Sequence, residues 1–333
     1  SDFGLRRAQG PDGGLAVARA SYIAGASSTS NVLAGKIYGI PVFGTHAHSW
    51  VMSFSTELEA FRAFARSFPK NCALLLDTYD VHEGIKNAII VGKEMEERGE
   101  KLGAVRIDSG DLAKLAKEAR AAFDDAGLSY VKISVSNDLD EYTIQSLFAQ
   151  GAPIDSFGVG TKLATCDPQP SLGGVYKLSA IREHKDEAWR PVIKLSEMAY
   201  KRTIPGIQSI RRYYDMSGCP IGDMIYDEAV LLAQNVETSA VVTDILDPYS
   251  THKLAGTSQE LMVRVVADGM RTKEAETIEV ARERCHDALM HLDPAYTRFL
   301  NPQVYTVGLE QGLAKLRHEL AVEHACAVTT TSE

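Results

Sequence analysis

The sequence predicts an α/β fold in which parallel strands alternate with helices, joined to a smaller α+β part. Two observations carry this. Between residues 17 and 160 short apolar runs are followed by polar turns and then by helical periodicity, over and over. After about residue 170 the pattern changes to two-residue alternation, which suits antiparallel strands with one solvated face. Composition sets the outer limits. With 333 residues, 45% of them hydrophobic, there is enough apolar mass for a large core and too much for a disordered chain. No apolar run approaches the ~18–20 residues of a membrane span. The 44 acidic against 35 basic residues give a net charge of −9, which argues against bulk nucleic-acid binding. Cys72, Cys166, Cys219, Cys285 and Cys326 are scattered without CxxC spacing, so a reducing cytoplasm is expected, with neither a disulfide framework nor a structural zinc site.

Taken in order, the apolar runs Pro41–Gly44, Ala73–Leu76, Ala104–Ile107, Val131–Val135 and Ile154–Val159 read as strands. Glu57–Ser67, Glu83–Arg98, Leu112–Asp125 and Leu139–Ala149 lie between them and read as amphipathic helices, with Leu112, Leu115, Ala119 and Phe123 on one face. Strand–helix alternation implies right-handed crossovers, and either a β/α barrel or a doubly wound sheet fits it. Gly173–Ile181 then alternates as a strand, Trp189–Ile193 reads as its hairpin partner, and Gly222–Tyr226 and Leu261–Val266 as further strands. Ile278–Leu292 and Leu309–Cys326 read as helices, separated by breaks at Asp293-Pro294 and Asn301-Pro302. The domain expectation is a barrel over 1–170, antiparallel strands over 171–270 that complete it and flank it, and C-terminal helices over 271–333. The chain opens without Met and without a long apolar leader, and is expected to be a cut or processed product. The polar tail from Val328 to Glu333 is expected to fray.

The residues at the strand ends are more informative than the strands themselves. The five ends deliver Gly44-Thr45-His46-Ala47-His48-Ser49, Asp77-Thr78-Tyr79-Asp80, Arg106-Ile107-Asp108-Ser109-Gly110-Asp111, Ser136-Asn137-Asp138 and Gly158-Val159-Gly160-Thr161. One such end is an ordinary helix cap. Five together, with a His and an Arg among them, suit the active face of a barrel, where all strand C-termini open. Gly158, Gly160 and Thr161 have the makings of a phosphate cradle, because glycines let backbone N–H groups reach an anion; a tight turn with a Thr cap is the plainer account. His46 and His48 could form a metal pair, but zinc barrels need a further His at other strand ends, and His46 is read as a loop residue. Asp108 and Asp111 bracket a turn and could hold ribose hydroxyls or Mg²⁺. Arg106 points to the same side as Asp108 and suits a carboxylate or a phosphate, unless the two form a structural ion pair. Phe3 beside Arg6 and Arg7 suits a flat anionic ring.

Four of these segments, Gly44–Ser49, Arg106–Asp111, Ser136-Asn137 and Gly158–Thr161, with Phe3-Gly4-Leu5-Arg6-Arg7-Ala8-Gln9-Gly10, Ser30-Asn31-Val32-Leu33-Ala34-Gly35 and Gly173-Gly174-Val175-Tyr176-Lys177-Leu178, resemble the nicotinate phosphoribosyltransferase family, in the family's order and from residue 2 to about 320. The resemblance implies a type II phosphoribosyltransferase fold, an irregular β/α barrel with a smaller α+β part, in a cytoplasmic homodimer. It implies nicotinate, phosphoribosyl pyrophosphate and ATP as partners, with Mg²⁺ accompanying the last two. The products would be nicotinate mononucleotide, pyrophosphate, ADP and phosphate, in NAD salvage. Carried over by residue, His48 would be transiently phosphorylated and Asp77 would orient its ring. Thr45 and Arg106 would hold nicotinate, with Phe3 and Arg6 against its ring. Asp108 and Asp111 would position ribose and Mg²⁺-pyrophosphate, and Ser136, Asn137, Gly160 and Thr161 would take the 5′-phosphate. Members also carry an N-terminal domain ahead of the Phe-Gly-x-Arg-Arg motif, which this sequence does not show. The rivals are nicotinamide phosphoribosyltransferase, a metal-dependent barrel hydrolase built on His46 and His48, and a non-catalytic fragment.

Overall fold

The computed structural model describes residues 1–196, 201–231 and 236–330. The chain divides into two compact units, one of Ser1–Leu172 with Glu276–His286 and one of Gly173–Ala275 with Asp287–Glu333. In the first unit a 3₁₀ turn at Leu5–Arg7 precedes helices α1 (Gly10–Ile23), α2 (Val32–Tyr38), α3 (His48–Met52) and α4 (Glu57–Ser67). Strands and helices then alternate as β1 (Ala73–Leu75), α5 (Val81–Glu97), β2 (Ala104–Ile107), α6 (Leu112–Asp125), β3 (Lys132–Ser136), α7 (Glu141–Ala149), β4 (Ser156–Gly158) and α8 (Thr161–Thr165). The four strands pair in the order β1-β2-β3-β4, all parallel.

The sheet continues past β4 through single-residue parallel bridges, from Val159 to Asp2, from Asp2 to Thr29 and from Thr29 to Val42. Its two ends are drawn together by a side chain. The chain from Val42 reaches His46, whose Nε2 accepts the backbone N–H of Leu75 at 3.2 Å. Alternation along the strands sorts the residues. Leu74, Leu76, Val105, Ile107, Ile133 and Val135 join the helix-packed core with Phe61, Phe64, Met95 and Phe123. Ala104, Arg106, Ser134, Ser136, Ser156 and Gly158 occupy the opposite face. A face of small and polar residues leaves open the lumen that bulky branched side chains fill in most β/α barrels. Helices α4, α5, α6 and α7 begin at side-chain caps, in which Thr56, Asp80, Asp111 and Asp140 accept backbone N–H groups of the first turn. The helices α1 and α2 were not legible in the periodicity.

The second unit contains β5 (Ala180–Ile181), β6 (Arg190–Pro191), β7 (Gln208–Tyr214), β8 (Pro220–Asp227), α9 (Glu228–Leu231), β9 (Ser239–Asp244), β10 (Thr251–Ala255), β11 (Thr257–Glu260), β12 (Val266–Ala267) and β13 (Met270–Arg271). Helix α10 (Ile278–Met290) begins in the first unit and ends in the second; α11 (Pro294–Thr297), β14 (Val307–Glu310) and α12 (Gln311–Thr330) come after it. The main sheet runs β10-β9-β14-β8-β7-β11, with β14 parallel to β8 and the other pairs antiparallel. Among the described residues these antiparallel strands form a sheet of their own. The core is Tyr213, Met224, Tyr226, Val236, Val242 and Leu254, with the buried Tyr213 hydroxyl donating to Val236 O at 2.7 Å.

Several sequence expectations shift here. The hairpin of Gly173–Ile181 with Trp189–Ile193 shrinks to Ala180–Ile181 against Arg190–Pro191. Of Leu261–Val266 only Val266 enters a strand, because the ladder with β7 ends at Glu260. Leu309 belongs to β14, and its helix starts two residues later. That helix runs to Thr330; the last three residues of the tail expected to fray, 331–333, lie outside the described residues. Among the described residues no helix is long and apolar enough to cross a membrane.

Candidate active site

Polar residues at the ends of β2, β3 and β4, with those that follow the Val42 bridge, meet around one cavity of about 390 Å³. Phe3, Arg6, Arg7, Thr45, His48, Arg106, Asp108, Ser136, Asn137, Gly160 and Thr161 all line it. Topology explains this convergence, since parallel strands place every C-terminal end on the same side.

Arg106 is the hub. Its Nη1 donates to Thr45 Oγ1 at 2.7 Å, its Nε to Ser136 Oγ at 3.0 Å, and its Nη2 to Asp108 Oδ2 at 3.1 Å. The proton directions in this network are fixed. Thr45 accepts from Arg106 and passes its own hydrogen to His46 O at 2.8 Å, while Ser136 accepts from Arg106 and donates to Asp108 Oδ1 at 2.5 Å. Three of the five guanidinium hydrogens are thereby used, and two are left for a ligand. The Phe3 ring centroid lies 5.5 Å from the same guanidinium. Gly158 permits this packing, because a Cβ there would come within 2.6 Å of the Phe3 ring. The Arg106–Asp108 ion pair considered from the sequence is therefore present, inside a wider network.

His48 stands across the cavity at the first position of α3. Its Nδ1 lies 3.1 Å from Thr78 Oγ1, and its Nε2 lies 3.7 Å from Asp108 Oδ2. The sequence reading gives the ring to Asp77. In the structure Asp77 Oδ2 instead accepts Asp108 N–H at 3.0 Å and Ser109 Oγ at 2.5 Å, tying the ends of β1 and β2 together. Asp77 is absent from the cavity wall, and so is Asp111, whose carboxylate caps α6 by accepting Lys114 N–H at 3.1 Å. A carboxylate one residue before a helix caps it more readily than it reaches across a loop, and this competition decided Asp111. Asn137 and Asp138 both have positive φ, 99° and 43°, which turns the chain sharply at the cavity wall.

His46, read from the sequence as a loop residue, is 5% exposed and packs against Phe61 and Phe64. Burial lowers its pKa to about 4, against the opposing effect of the Ala47 backbone, and the Arg106 and His48 charges lower it further. With Nε2 committed to Leu75, His46 and His48 serve different partners rather than one metal. Among the described residues no group of three or more His, Cys, Asp or Glu could hold a metal ion. Thr78, Ser30, Asp138 and the structural part played by His46 were not singled out from the sequence. Thr78 lay inside a quoted strand end, beside a carboxylate that drew the attention.

The site combines cations, an aromatic face, backbone turns rich in glycine and a partly exposed imidazole, a set suited to an anionic ring and phosphate groups. Comparison with known proteins agrees. Residues 1–216 match the Nicotinate phosphoribosyltransferase (NAPRTase) family and residues 207–317 match the Nicotinate phosphoribosyltransferase C-terminal domain. The nicotinate phosphoribosyltransferase of Bacillus subtilis is 41% identical over 314 residues, covering 93% of this chain and 63% of that protein. The Dictyostelium discoideum protein of the same name is 34% identical over 372 residues, covering 96% and 62%. The human one is 32% identical over 376 residues, covering 96% and 68%. The chain thus spans somewhat under two thirds of the Bacillus and Dictyostelium relatives. The crystal structure of human nicotinic acid phosphoribosyltransferase superposes with a TM-score of 0.77 at 28% identity, over 96% of this chain and 70% of that one.

Proposed function

The chain belongs to the nicotinate phosphoribosyltransferase family, and from that premise we propose that its strand-end cavity joins nicotinate to phosphoribosyl pyrophosphate, with ATP hydrolysis coupled through a phosphohistidine at His48. The observation that carries this reading is the convergence of Phe3, Arg106, His48 and Thr161 on one cavity. Arg106 pairs with the nicotinate carboxylate through its two unused hydrogens, and Phe3 covers the ring. Arg6, Asn137, Gly160 and Thr161 hold the phosphate groups. The pyridine nitrogen lone pair forms the bond to ribose C1, and the C1–O bond breaks with its electrons leaving on pyrophosphate. In the coupled step His48 Nε2 bonds to the γ-phosphorus of ATP, the β–γ bridging P–O bond breaks, and ADP leaves with that electron pair. Water later cleaves the P–N bond to release phosphate. Mg²⁺ accompanying the substrate phosphates would supply charge neutralisation of their oxygens. Asp108 and Asp138 line the cavity and could meet such an ion, since Mg²⁺ bound to phosphates asks for only one or two carboxylates.

A guanidinium built into the site discriminates acid from amide, because the neutral analogue offers the two free hydrogens no anionic acceptor. Turnover of nicotinate and of nicotinamide, with phosphoribosyl pyrophosphate and with or without ATP, tests the proposal. Preference for the acid by about 10²-fold or more is expected, with stimulation by ATP. Arg106→Gln should collapse the preference chiefly through KM for the acid. Equal use of acid and amide by the unaltered protein would overturn the assignment. The proposal extends to a cytoplasmic homodimer, to be checked by fractionation and by sedimentation over a range of concentrations.

A further inference from the structure

We propose that Thr78 is the positioning residue that fixes the tautomer of His48, holding the proton on Nδ1 so that Nε2 presents its lone pair to the cavity. The inference deepens the reading of His48 as a phosphoryl acceptor and rests on it. Two contacts define the ring. Nδ1 lies 3.1 Å from Thr78 Oγ1, within hydrogen-bond range, whereas the polar contact of Nε2 among the described residues is Asp108 Oδ2 at 3.7 Å, beyond it. The nitrogen engaged by Thr78 is closed to a phosphorus atom, and the other is open. A ring nitrogen acts as a nucleophile only when its partner carries the hydrogen. Thr78 Oγ1 must then accept from Nδ1–H.

Of the neighbouring carboxylates, Asp77 Oδ2 is taken by Asp108 N–H and by Ser109 Oγ, and both Asp108 oxygens are taken by Ser136 and Arg106. Asp77 Oδ1 is buried without a partner among the described residues, yet the Nδ1 contact is to Thr78 Oγ1, which is why Asp77→Asn stands beside Thr78→Val in the test. A hydroxyl suits the task better than a carboxylate in one respect. When Nε2 gains the phosphoryl group, the ring becomes cationic with the hydrogen still on Nδ1. A neutral acceptor orients that cation without drawing its proton off, so no proton has to leave the ring in the transfer step. The lone pair of Nε2 becomes the P–N bond, and the β–γ bridging oxygen keeps the electrons of the bond that breaks.

The test uses the whole chain, labelled with ¹⁵N-histidine, in the Thr78→Val, Thr78→Ser and Asp77→Asn variants, with the His48 resonances assigned by their loss in His48→Gln. A pyrrole-like Nδ1 and a pyridine-like Nε2 are expected in the unaltered protein and in Thr78→Ser. In Thr78→Val the two nitrogens should shift toward the opposite tautomer. ATP-dependent labelling of His48 should slow about tenfold in Thr78→Val, equivalent to 1.4 kcal/mol, and recover in Thr78→Ser. Ring shifts unmoved by Thr78→Val, or moved only by Asp77→Asn, would overturn the assignment. Absence of any phosphoryl label in the unaltered protein would count against the proposed function alone, since the ring shifts still decide the part played by Thr78.

Discussion

His46 carries two duties that no periodicity announces. Its ring joins the ends of the curled sheet by accepting Leu75 N–H, and its carbonyl receives the Thr45 hydroxyl that Arg106 orients. A protonated Nε2 cannot accept that N–H, so the ring must stay neutral in the folded protein. Its pKa of about 4 lies well below the ordinary 6.5. Above pH 6.5 folded and unfolded chains both carry a neutral ring and the contribution is whole. As the pH falls from 6.5 to 4 the unfolded chain takes up a proton that the folded one refuses, and stability declines by about 3 kcal/mol. Denaturant titrations between pH 7 and 4 should show this slope, and His46→Asn, which keeps an acceptor without a titrating ring, should flatten it. A slope identical in the variant would assign the acid sensitivity elsewhere. In the sequence His46 and His48 look alike, two alternate positions after an apolar run. Only the third dimension separates them, because the partners of His46 lie 15 to 29 residues away, on α4 and β1.

At the scale of elements, legibility depended on whether burial leaves a hydrophobic trace. Helices α4 to α7 declare themselves through apolar spacing, but their caps Thr56, Asp80, Asp111 and Asp140 do not, and the sequence reading gives Asp111 to ribose and Mg²⁺. Strand β7 does not declare itself either, because Gln208–Tyr214 carries Arg211 and Arg212 at its centre. Each finds an acid inside the sheet. Arg212 forms a two-point pair with Asp223, at 2.8 Å for both contacts, and Arg211 lies 3.6 Å from Glu260. Charges satisfied across a ladder read as surface in one dimension. Helix α1 is similarly masked by the glycines of Gly10-Pro11-Asp12-Gly13-Gly14, which lower helical propensity where packing restores it. A close join between elements lies where α5 meets the end of β1. A Cβ at Gly84 would sit 2.0 Å from the carbonyl oxygen of Leu76, which is backbone and cannot yield cheaply. Gly84→Ala should therefore destabilise the protein by about 2–3 kcal/mol. Because Leu76 immediately precedes Asp77 and Thr78, the same change should displace the His48 ring contact. Chemical denaturation gives the first effect and histidine ¹⁵N shifts the second. Loss of stability without movement of the ring would mean that the turn adjusts independently of its strand.

At the scale of the molecule, the division between the units is not a cut in the sequence. Residues 276–286 return to the first unit although some hundred residues of the second precede them. The sequence reading placed 271–333 together as C-terminal helices, because helical periodicity reports a local face and says nothing of where that face docks. Arg282 supplies the physical reason for the return. Its Nη1 donates to the carbonyls of Tyr22 and Ala26, its Nη2 donates to Gly25 O at 3.0 Å, and its guanidinium lies 4.5 Å from the Tyr22 ring centroid. These carbonyls lie in the last turn of α1 and in the two residues after its C-cap Ala24, where the helix dipole favours a cation. One residue thus closes a helix more than 250 positions away along the chain. Arg282→Ala removes all of these contacts at once and should cost about 2 kcal/mol, lowering the melting of the first unit by about 4–8 °C. Arg282→Lys keeps the charge but not the planar fork, and should recover only part of the loss. Hydrogen exchange separates this from a general loosening. The last turn of α1 should exchange faster in Arg282→Ala, while the β7–β8 ladder of the second unit keeps its protection. Equal acceleration in both places would mean that the two units unfold as one body, with Arg282 serving the whole rather than the first.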